Sequence, residues 1–123
     1  RIGDELSDLI KVTSGTPQGG ILSPLLFCLF INDLSEVIKD NLHLFADDSE
    51  TYCSSPNADI ATCAANMNET LHKVKIWADE NSVTINAKKS HAIIFCRKNI
   101  ENPPSIKLGN EIINYKSEVR AWV

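Results

Sequence analysis

The segment at residues 42–48 reads Leu-His-Leu-Phe-Ala-Asp-Asp and places two adjacent carboxylates directly after a short apolar run. Residues 42–46 and 51–53 have the composition of short strands, so we expect a hairpin whose tip carries Asp47 and Asp48. Leu44 and Phe45 are expected to root its strands in the core. Because Asp is common in tight turns, a purely structural hairpin tip is the simpler alternative to a chemical role.

A turn-rich segment and a predicted helix precede this hairpin. Residues 14–20 read Ser-Gly-Thr-Pro-Gln-Gly-Gly, a composition that allows positive φ at the glycines and fixes φ at the proline. Ser23 and Pro24 then have the residue types of a helix N-cap and first helical position. Apolar residues recur at helical spacing as far as Ile38, which predicts a buried helix over about residues 24–39. Residues 1–13 are predicted to be the end of a strand or hairpin.

The second half of the chain predicts a long helix followed by short strands. One helical stripe contains Ile60, Ala64, Met67, Leu71, Val74 and Ala78, with Trp77 at its edge. Beyond Asn81 the periodicity changes to two, which predicts strands at 83–85 and 92–95 and a hairpin around Gly109-Asn110. This order predicts an α+β fold class, an antiparallel sheet with two helices packed on one face.

Composition limits the class of protein. The 123 residues can bury one small core, whereas the apolar run at 25–31 is too short to cross a bilayer. The net charge of −4 lacks the basic surplus that is typical of nucleic-acid binders, and the basic cluster at 88–98 is interpreted as solvated surface. The chain begins with Arg1 and ends at Val123, which indicates a piece of a longer protein.

Four cysteines stand at positions 28, 53, 63 and 96 without any C-x-x-C spacing. A zinc site or a thioredoxin-type motif is therefore not indicated. Cys28 and Cys96 lie inside apolar runs, and we expect both to be small buried thiols. This cysteine usage predicts a reducing, intracellular location.

In their order and spacing, three segments strongly resemble the palm of reverse transcriptases. They read Ser-Gly-Thr-Pro-Gln-Gly-Gly-Ile-Leu-Ser-Pro-Leu-Leu-Phe at 14–27, Ile-Asn-Asp-Leu at 31–34 and Leu-Phe-Ala-Asp-Asp at 44–48. The resemblance is strongest to the non-LTR (LINE-type) retrotransposon enzymes, where the G-x-P-Q-G loop is motif B and the F/Y-A-D-D hairpin is motif C. The family's motif D pattern is similar to a set of residues in the second half of this chain, namely Trp77, Asn81, Ile85-Asn86, Lys89-Ser90 and Ile93-Ile94-Phe95. Residues 106–113 and 119–123 resemble motif E.

This resemblance implies an RNA-directed DNA polymerase that extends a DNA 3′ end on an RNA template by two-metal nucleotidyl transfer. Asp47 and Asp48 would hold two Mg²⁺ ions, or Mn²⁺ as a substitute, because Mg²⁺ prefers carboxylate oxygens. The incoming nucleotide or the template would be contacted by Gly15, Pro17, Gln18, Gly19 and Gly20. Lys89 resembles the motif D lysine, which implies a general acid for pyrophosphate or a contact to its charge. A solvated turn lysine is the alternative for Lys89.

The resemblance covers nearly the whole chain, as a partial reverse transcriptase domain over residues 1–123. Motif A, which contributes another metal-binding Asp, and the fingers would precede Arg1, and the thumb would follow Val123. We therefore expect the chain to be inactive alone. Its expected partners are an RNA template, a DNA primer, dNTPs and the missing parts of the parent polyprotein, with no membrane, in the nucleus or cytoplasm of a host cell.

Two other interpretations stay open. One is a non-catalytic relic or co-opted scaffold module that keeps the fold without the chemistry. The other is a group II intron maturase-type reverse transcriptase, which shares Gly-Thr-Pro-Gln-Gly-Gly at 15–20. The segments 31–34 and 77–95 look more like retrotransposon sequence. Ser49 stands where family members often carry Thr, and it keeps the hydroxyl group.

Overall fold

Three helices and five strands occur in the part of the chain that the computed structural model describes, namely residues 11, 15, 19–38, 41–55, 59–97 and 100–117. In chain order they are α1 (Ser23–Ile31), α2 (Leu34–Val37), β1 (Leu42–Phe45), β2 (Asp48–Thr51), α3 (Ile60–Glu80), β3 (His91–Ala92), β4 (Ile106–Leu108) and β5 (Glu111–Tyr115). The predicted α+β class is confirmed. The strand or hairpin end predicted at residues 1–13 lies outside the described residues, apart from Lys11, and so do residues 119–123.

The long helix α3 forms as its apolar stripe predicts. Its N-cap is Asp59, whose carboxylate accepts hydrogen bonds from the Thr62 backbone N–H at 3.1 Å and the Thr62 hydroxyl at 2.6 Å. Such a cap satisfies a backbone donor that has no partner inside the helix. Ala64, Val74 and Ala78 of the predicted stripe are buried. Trp77 is buried with them, at only 6% exposure.

Two hydrophobic clusters lie along α3. The first cluster consists of Leu34, Ile38, Val74, Trp77 and Ala78, and the second of Ala64, Ala87, Ile106, Leu108 and Ile113. The C-terminal half of α3 thus packs against α2 and the residue after it, whereas its N-terminal half packs against β4 and β5. Burial of apolar side chains at this one helix supplies the main favourable free energy of folding for both clusters.

The strands form two separate sheets. Strands β1 and β2 pair antiparallel, and the other sheet has the order β3-β5-β4. Within it β4 and β5 are antiparallel and joined by the predicted loop Gly109-Asn110, where Gly109 has a φ of 61°. The short strand β3 runs parallel to β5, so this sheet is mixed where an antiparallel one was expected.

The predicted strand at 83–85 is absent, and the one at 92–95 is shortened to His91–Ala92. Val83 lies three residues after Glu80, the last residue of α3, and its N–H donates to the Ala78 carbonyl at 2.7 Å. This bond ties the backbone to the helix end and not to a neighbouring strand. Val83 and Ile85 nevertheless pack against the first cluster. Their apolar pattern therefore reflects packing against the core and not pairing with another strand.

The predicted single buried helix at 24–39 is wrong in length and in burial. The chain turns at Asn32-Asp33 and separates α1 from α2, and Ser35 there donates its hydroxyl to the Asn32 carbonyl at 2.6 Å. Backbone bonds at this turn have the tighter i→i−3 spacing. The residue in the N-cap position is Leu22, one residue before the predicted Ser23.

Helix α1 has no buried residue. Leu25, Leu26, Leu29 and Phe30 are exposed by 40–64%. Cys28 on the same helix is exposed, as is Cys96, so the expectation that both thiols are buried is wrong. Apolar spacing identified the helix correctly, but burial also requires a surface that covers it. None of the helices in the described residues is long and apolar enough to span a bilayer.

The amide side chain of Asn68 holds strand β4 against α3. Its Nδ2 donates to the Ser105 carbonyl at 3.0 Å, and its Oδ1 accepts from the Lys107 N–H at 2.8 Å. One side chain thereby satisfies the Lys107 N–H of β4 and the Ser105 carbonyl just before β4, the last strand in the sheet order β3-β5-β4 of the described residues. This arrangement supplements apolar packing between the helix and the sheet.

We expect Asn68→Ala to lower the free energy of unfolding by about 1–2 kcal/mol, because two hydrogen bonds of about 1 kcal/mol each are lost. Urea denaturation followed by circular dichroism measures this change. The matched control is Asn66→Ala, an exposed position of the same helix, which makes the same change in helix propensity without losing either bond. Equal losses in the two variants would contradict a role for Asn68 at the sheet edge.

Candidate functional site

The acidic pair occupies the tip of the β1–β2 hairpin. Phe45 pairs with Asp48, which leaves Ala46-Asp47 as a two-residue loop. Asp48 is therefore the first residue of β2, and this strand starts three residues before the predicted Thr51. Both carboxylates are exposed. The register thus presents two neighbouring carboxylates to solvent, one on the loop and one on the strand.

The turn itself needs an unusual backbone angle. Ala46 has a φ of 53°, in the left-handed region where a Cβ costs about 1–2 kcal/mol. Hairpins with two-residue loops require positive φ at a loop position because their twist must match that of the strands. Formation of the two-residue loop therefore requires a strained backbone conformation at Ala46.

Leu44 and Phe45 do not root the hairpin in the core. Phe45 is 77% exposed and Leu44 is 36% exposed, so this prediction is wrong. The hairpin is attached at its other end, where Leu42 packs against the first hydrophobic cluster. There the Tyr52 N–H donates to the Asn41 carbonyl at 3.2 Å, and the Tyr52 ring stacks on His43 with centroids 5.9 Å apart. The tip consequently projects away from its anchored base.

The donor chemistry of Asp47 and Asp48 fits a hard divalent cation. Carboxylate oxygens are the ligands that Mg²⁺ prefers, usually one or two of them with water and substrate phosphate. No ion pair within the described residues involves either carboxylate. Those residues also contain no group of three or more His, Cys, Asp or Glu that could hold a metal ion. The pair can therefore supply part of a metal site, and further ligands would come from elsewhere.

The Gly-rich segment leads directly into α1. Gly15 and Gly19 have φ values of 84° and 82°. Apart from its chain neighbours, no described residue has an atom within 4 Å of the Cβ that a larger residue would carry at either position. Glycine is thus favoured there by backbone angle and not by crowding. The Gly20 carbonyl accepts from the Ser23 N–H at 3.3 Å and joins the segment to the helix. Pro17 and Gln18 lie outside the described residues.

Lys89 lies on an exposed turn held by Asn86. The Asn86 carbonyl accepts from the Lys89 N–H at 3.1 Å, and the Ser90 hydroxyl donates to the same carbonyl at 3.0 Å. The Asn86 side chain also accepts from the Lys89 N–H at 3.2 Å. Within the described residues, no hydrogen bond or ion pair joins Lys89 to Asp47 or Asp48. The turn fixes the backbone of Lys89 and leaves its side chain in solvent.

The environment of Cys63 was not predicted. Cys53 follows β2, and Cys63 lies in the first turn of α3. Hydrogen bonding by the Cys53 side chain, together with burial and the nearby charges of Cys53 and Asp59, raises the pKa of the Cys63 thiol. The separation of Cys53 and Cys63 in sequence matches no short metal or redox motif, so spacing gave no signal for this pKa shift.

Comparison with known proteins identifies similar sequences over most of the chain. Residues 2–119 match the family described as "Reverse transcriptase (RNA-dependent DNA polymerase)". The probable RNA-directed DNA polymerase from transposon X-element of Drosophila melanogaster is 32% identical over 110 residues, or 85% of this chain. The RNA-directed DNA polymerase from mobile element jockey of the same organism is 26% identical over 117 residues, or 89% of this chain.

The chain spans 12% of the length of each of these two relatives. No solved structure matches significantly. The family match includes both the hairpin and the Gly-rich segment, and it also includes the turn that carries Lys89.

Replacing Ala46 with Gly is expected to stabilise the hairpin, because glycine adopts positive φ without the steric cost of a Cβ. Hydrogen exchange of the Tyr52 amide, which donates across the hairpin base, should slow by up to about fivefold, equivalent to about 1 kcal/mol. Ala65→Gly on the exposed side of α3 is the control, and it should destabilise its helix by about 1 kcal/mol. Faster exchange at Tyr52 in Ala46→Gly would contradict the strain at this turn.

Proposed function

Since this chain belongs to the reverse transcriptase family, we propose that it is the palm segment, motifs B to E, of an RNA-directed DNA polymerase of a non-LTR retrotransposon. In the intact parent this enzyme extends a DNA 3′ end on an RNA template. The observation that carries the proposal is the exposed carboxylate pair at the tip of a two-residue hairpin loop, inside a family match over residues 2–119.

The proposed reaction is nucleotidyl transfer. The primer 3′ hydroxyl attacks the α-phosphorus of a dNTP, and pyrophosphate leaves. When bound, two divalent cations stabilise the charge on the attacking and leaving oxygens. Asp47 and Asp48 are the residues of this chain that would hold Mg²⁺, or Mn²⁺ in its place, and Asp47 is favoured as a direct ligand. Asp47 lies on the two-residue loop, and its side chain is exposed.

The Gly-rich segment is proposed to face the incoming nucleotide and the template. Gly15 and Gly19 support this role, since among the described residues, chain neighbours aside, no atom lies within 4 Å of where their Cβ would be. The full proposed contact set is Gly15, Pro17, Gln18, Gly19 and Gly20. A glycine backbone allows close approach of a base pair, and the Gln18 amide can donate and accept hydrogen bonds. The partners in this proposal are an RNA template, a DNA primer and dNTPs.

Lys89 is proposed to act on the leaving pyrophosphate, either by donating a proton or by contacting its charge. Its exposed side chain and its anchored backbone support this role. General acid catalysis by a positioned side chain typically contributes 10²–10⁴-fold to a rate. The turn would have to approach the hairpin tip in the intact parent for Lys89 to reach the leaving group.

We further propose that the chain alone is inactive and works together with other parts of its parent polyprotein. Exposed apolar side chains along α1 support this view, because large contiguous apolar patches mark interaction surfaces. The lack of a third metal ligand among the described residues also supports it. The proposed location is intracellular, in the nucleus or cytoplasm of the host cell.

Asp47→Asn in the parent protein is expected to reduce primer extension on an RNA template below detection, while circular dichroism stays unchanged. The amide keeps the shape of the side chain and the turn preference of Asn, but it removes the negative charge that holds the cation. Glu50→Gln is the matched control, because it removes one exposed carboxylate from the same hairpin at a position outside the tip. It should leave extension within about twofold of the parent.

Normal extension by Asp47→Asn would contradict the site assignment. A parent that shows no extension before any substitution would favour the relic or scaffold interpretation. The 123-residue chain alone should show no extension with Mg²⁺ or Mn²⁺. Incorporation by this chain that is lost in Asp47→Ala would contradict the requirement for other parts of the parent.

Lys89→Ala in the parent should lower the rate of single-nucleotide incorporation by about 10²-fold, in line with the loss of a general acid. Lys88→Ala is the matched control, since Lys88 is the exposed neighbour on the same turn. Pre-steady-state incorporation separates the chemical step from primer binding. Equal effects of the two substitutions would identify Lys89 as a solvated turn lysine.

A further inference from the structure

A cavity beside the edge strand β3 brings two cationic side chains together from separate parts of the chain. Arg97 follows β3, Lys116 follows β5, and both line the same cavity, which has a volume of about 390 Å³. The Lys116 N–H donates to the Ala92 carbonyl at 2.9 Å and joins the two segments. We call this the basic cavity, and its volume lies in the range of about 300–1,000 Å³ that is usual for ligand sites.

The two cations of the basic cavity lack a compensating carboxylate. Both side chains are exposed, and neither forms an ion pair with another described residue. Among the described residues that line the cavity, none is Asp or Glu. Residues 81–100 also contain no Asp or Glu, although they include Lys or Arg at positions 88, 89, 97 and 98. The potential at this surface is therefore positive in a chain whose net charge is −4.

An exposed aromatic ring adjoins the basic cavity. Phe95 is 93% exposed and lies between two residues that line the cavity. Ile94, Ile100 and the Tyr115 ring give the cavity an apolar lining. The Tyr115 hydroxyl donates to the Pro104 carbonyl at 2.7 Å, which fixes the ring in place. Cations for a phosphate backbone, combined with an aromatic ring for a base, are typical of surfaces that bind single-stranded nucleic acid.

We propose that the basic cavity and Phe95 form a binding site for a single-stranded nucleic acid. Arg97 and Lys116 contact backbone phosphates, and an adjacent base stacks on the Phe95 ring. A guanidinium group binds phosphate through two parallel hydrogen bonds, whereas Lys116 supplies a compact positive charge. The base has to be unpaired, because recognition by stacking on a side chain requires a base that is free of its own duplex.

Phe95 favours a nucleic acid over other polyanions. An acidic peptide would satisfy the two cations but leave the ring in water, whereas every base has a face that can stack on it. DNA and RNA share this chemistry, so the strand could be the primer or the template of the proposed polymerase. The proposal rests on the proposed function only for the source of that strand, and it adds a contact outside the Gly-rich segment and the acidic hairpin.

The test measures binding of labelled oligothymidylate and oligouridylate, each of about 20 nucleotides, to the 123-residue chain. Fluorescence anisotropy gives the affinity over a series of salt concentrations, and the two probes distinguish DNA from RNA. EDTA removes divalent cations, so neither metal bridging nor polymerisation contributes to the signal. A failure to bind is thereby distinguishable from a failure of the proposed polymerase, which is measured by primer extension in the parent.

Salt dependence identifies the phosphate contacts. For a single strand, each lost contact lowers the steepness of log affinity against log salt concentration by about 0.7. We expect this reduction in Arg97→Ala and in Lys116→Ala. Lys73→Ala is the matched control, because it removes the same unit of charge from α3, where Lys73 is already paired with Glu69 at 2.8 Å. The control should keep the steepness of the unmodified chain.

Base stacking is tested separately. Phe95→Leu keeps an apolar side chain but removes the ring, and it should weaken binding by about tenfold without changing the salt dependence. Ile112→Ala is the control at an exposed apolar position of β5, and it should stay within about twofold of the unmodified chain. Circular dichroism establishes that every variant is folded.

Three results would overturn the proposal. One is the absence of binding at the lowest salt concentration. Another is a salt dependence in Arg97→Ala and Lys116→Ala that equals that of Lys73→Ala. The third is displacement of the probes by polyglutamate as effectively as by unlabelled oligothymidylate, since a surface for any polyanion would then explain the binding. Unchanged affinity in Phe95→Leu would contradict stacking on this ring.

Discussion

Burial of one face of α3 is the constraint on which both hydrophobic clusters depend. Helix α3 contributes Val74, Trp77 and Ala78 to the first cluster and Ala64 to the second. Because these residues share one helix, a shift of α3 would disturb α2 and the β4–β5 hairpin together. Core packing tolerates little change in volume, so α3 sets the relative positions of the elements that contact it. The Asp59 cap fixes where this helix begins.

The acidic hairpin depends on α3 much less directly. Among the described residues, the hairpin packs against a cluster through Leu42 at its base, and its tip geometry comes from strand pairing and from the turn at Ala46. A tip built in this way keeps its carboxylates in solvent, where their charge carries little desolvation cost. The same construction leaves Phe45 exposed beside them. The hairpin thus exposes two carboxylates and an aromatic ring at a tip whose geometry is determined by local strand pairing and the turn.

Local patterns predicted those features that local physics determines. The stripe from Ile60 to Ala78 identified α3, and Gly109-Asn110 identified the β4–β5 loop. The sequence predicts Asp47 and Asp48 at a hairpin tip because two turn-forming residues lie between two short strand-like segments. The start of β2 at Asp48 was missed, since pairing register extends the strand through Ser49 and Glu50, which have weak strand propensity.

Features that depend on distant parts of the chain could not be predicted in this way. Apolar residues at 24–31 have the spacing of a buried helix. Burial of α1 also requires another part of the structure to cover it, and the spacing gives no information about such a part. Val83 and Ile85 have the composition of a strand, yet the Val83 N–H bonds to the end of α3. The distance between Lys89 and the hairpin tip also depends on tertiary structure and cannot be predicted from a local pattern.

Exposure of α1 connects the fold to the proposed function. A helix that is apolar on every side is stable when other structure surrounds it, and α1 has no buried residue among the described parts of the chain. Phe30 makes a tilted ring contact with Trp77, with centroids 5.9 Å apart, so α1 adjoins the first cluster at this side chain. Structure that covered the remaining face would extend that cluster outward from α3. It would also surround the helix that directly follows the Gly-rich segment of the proposed site.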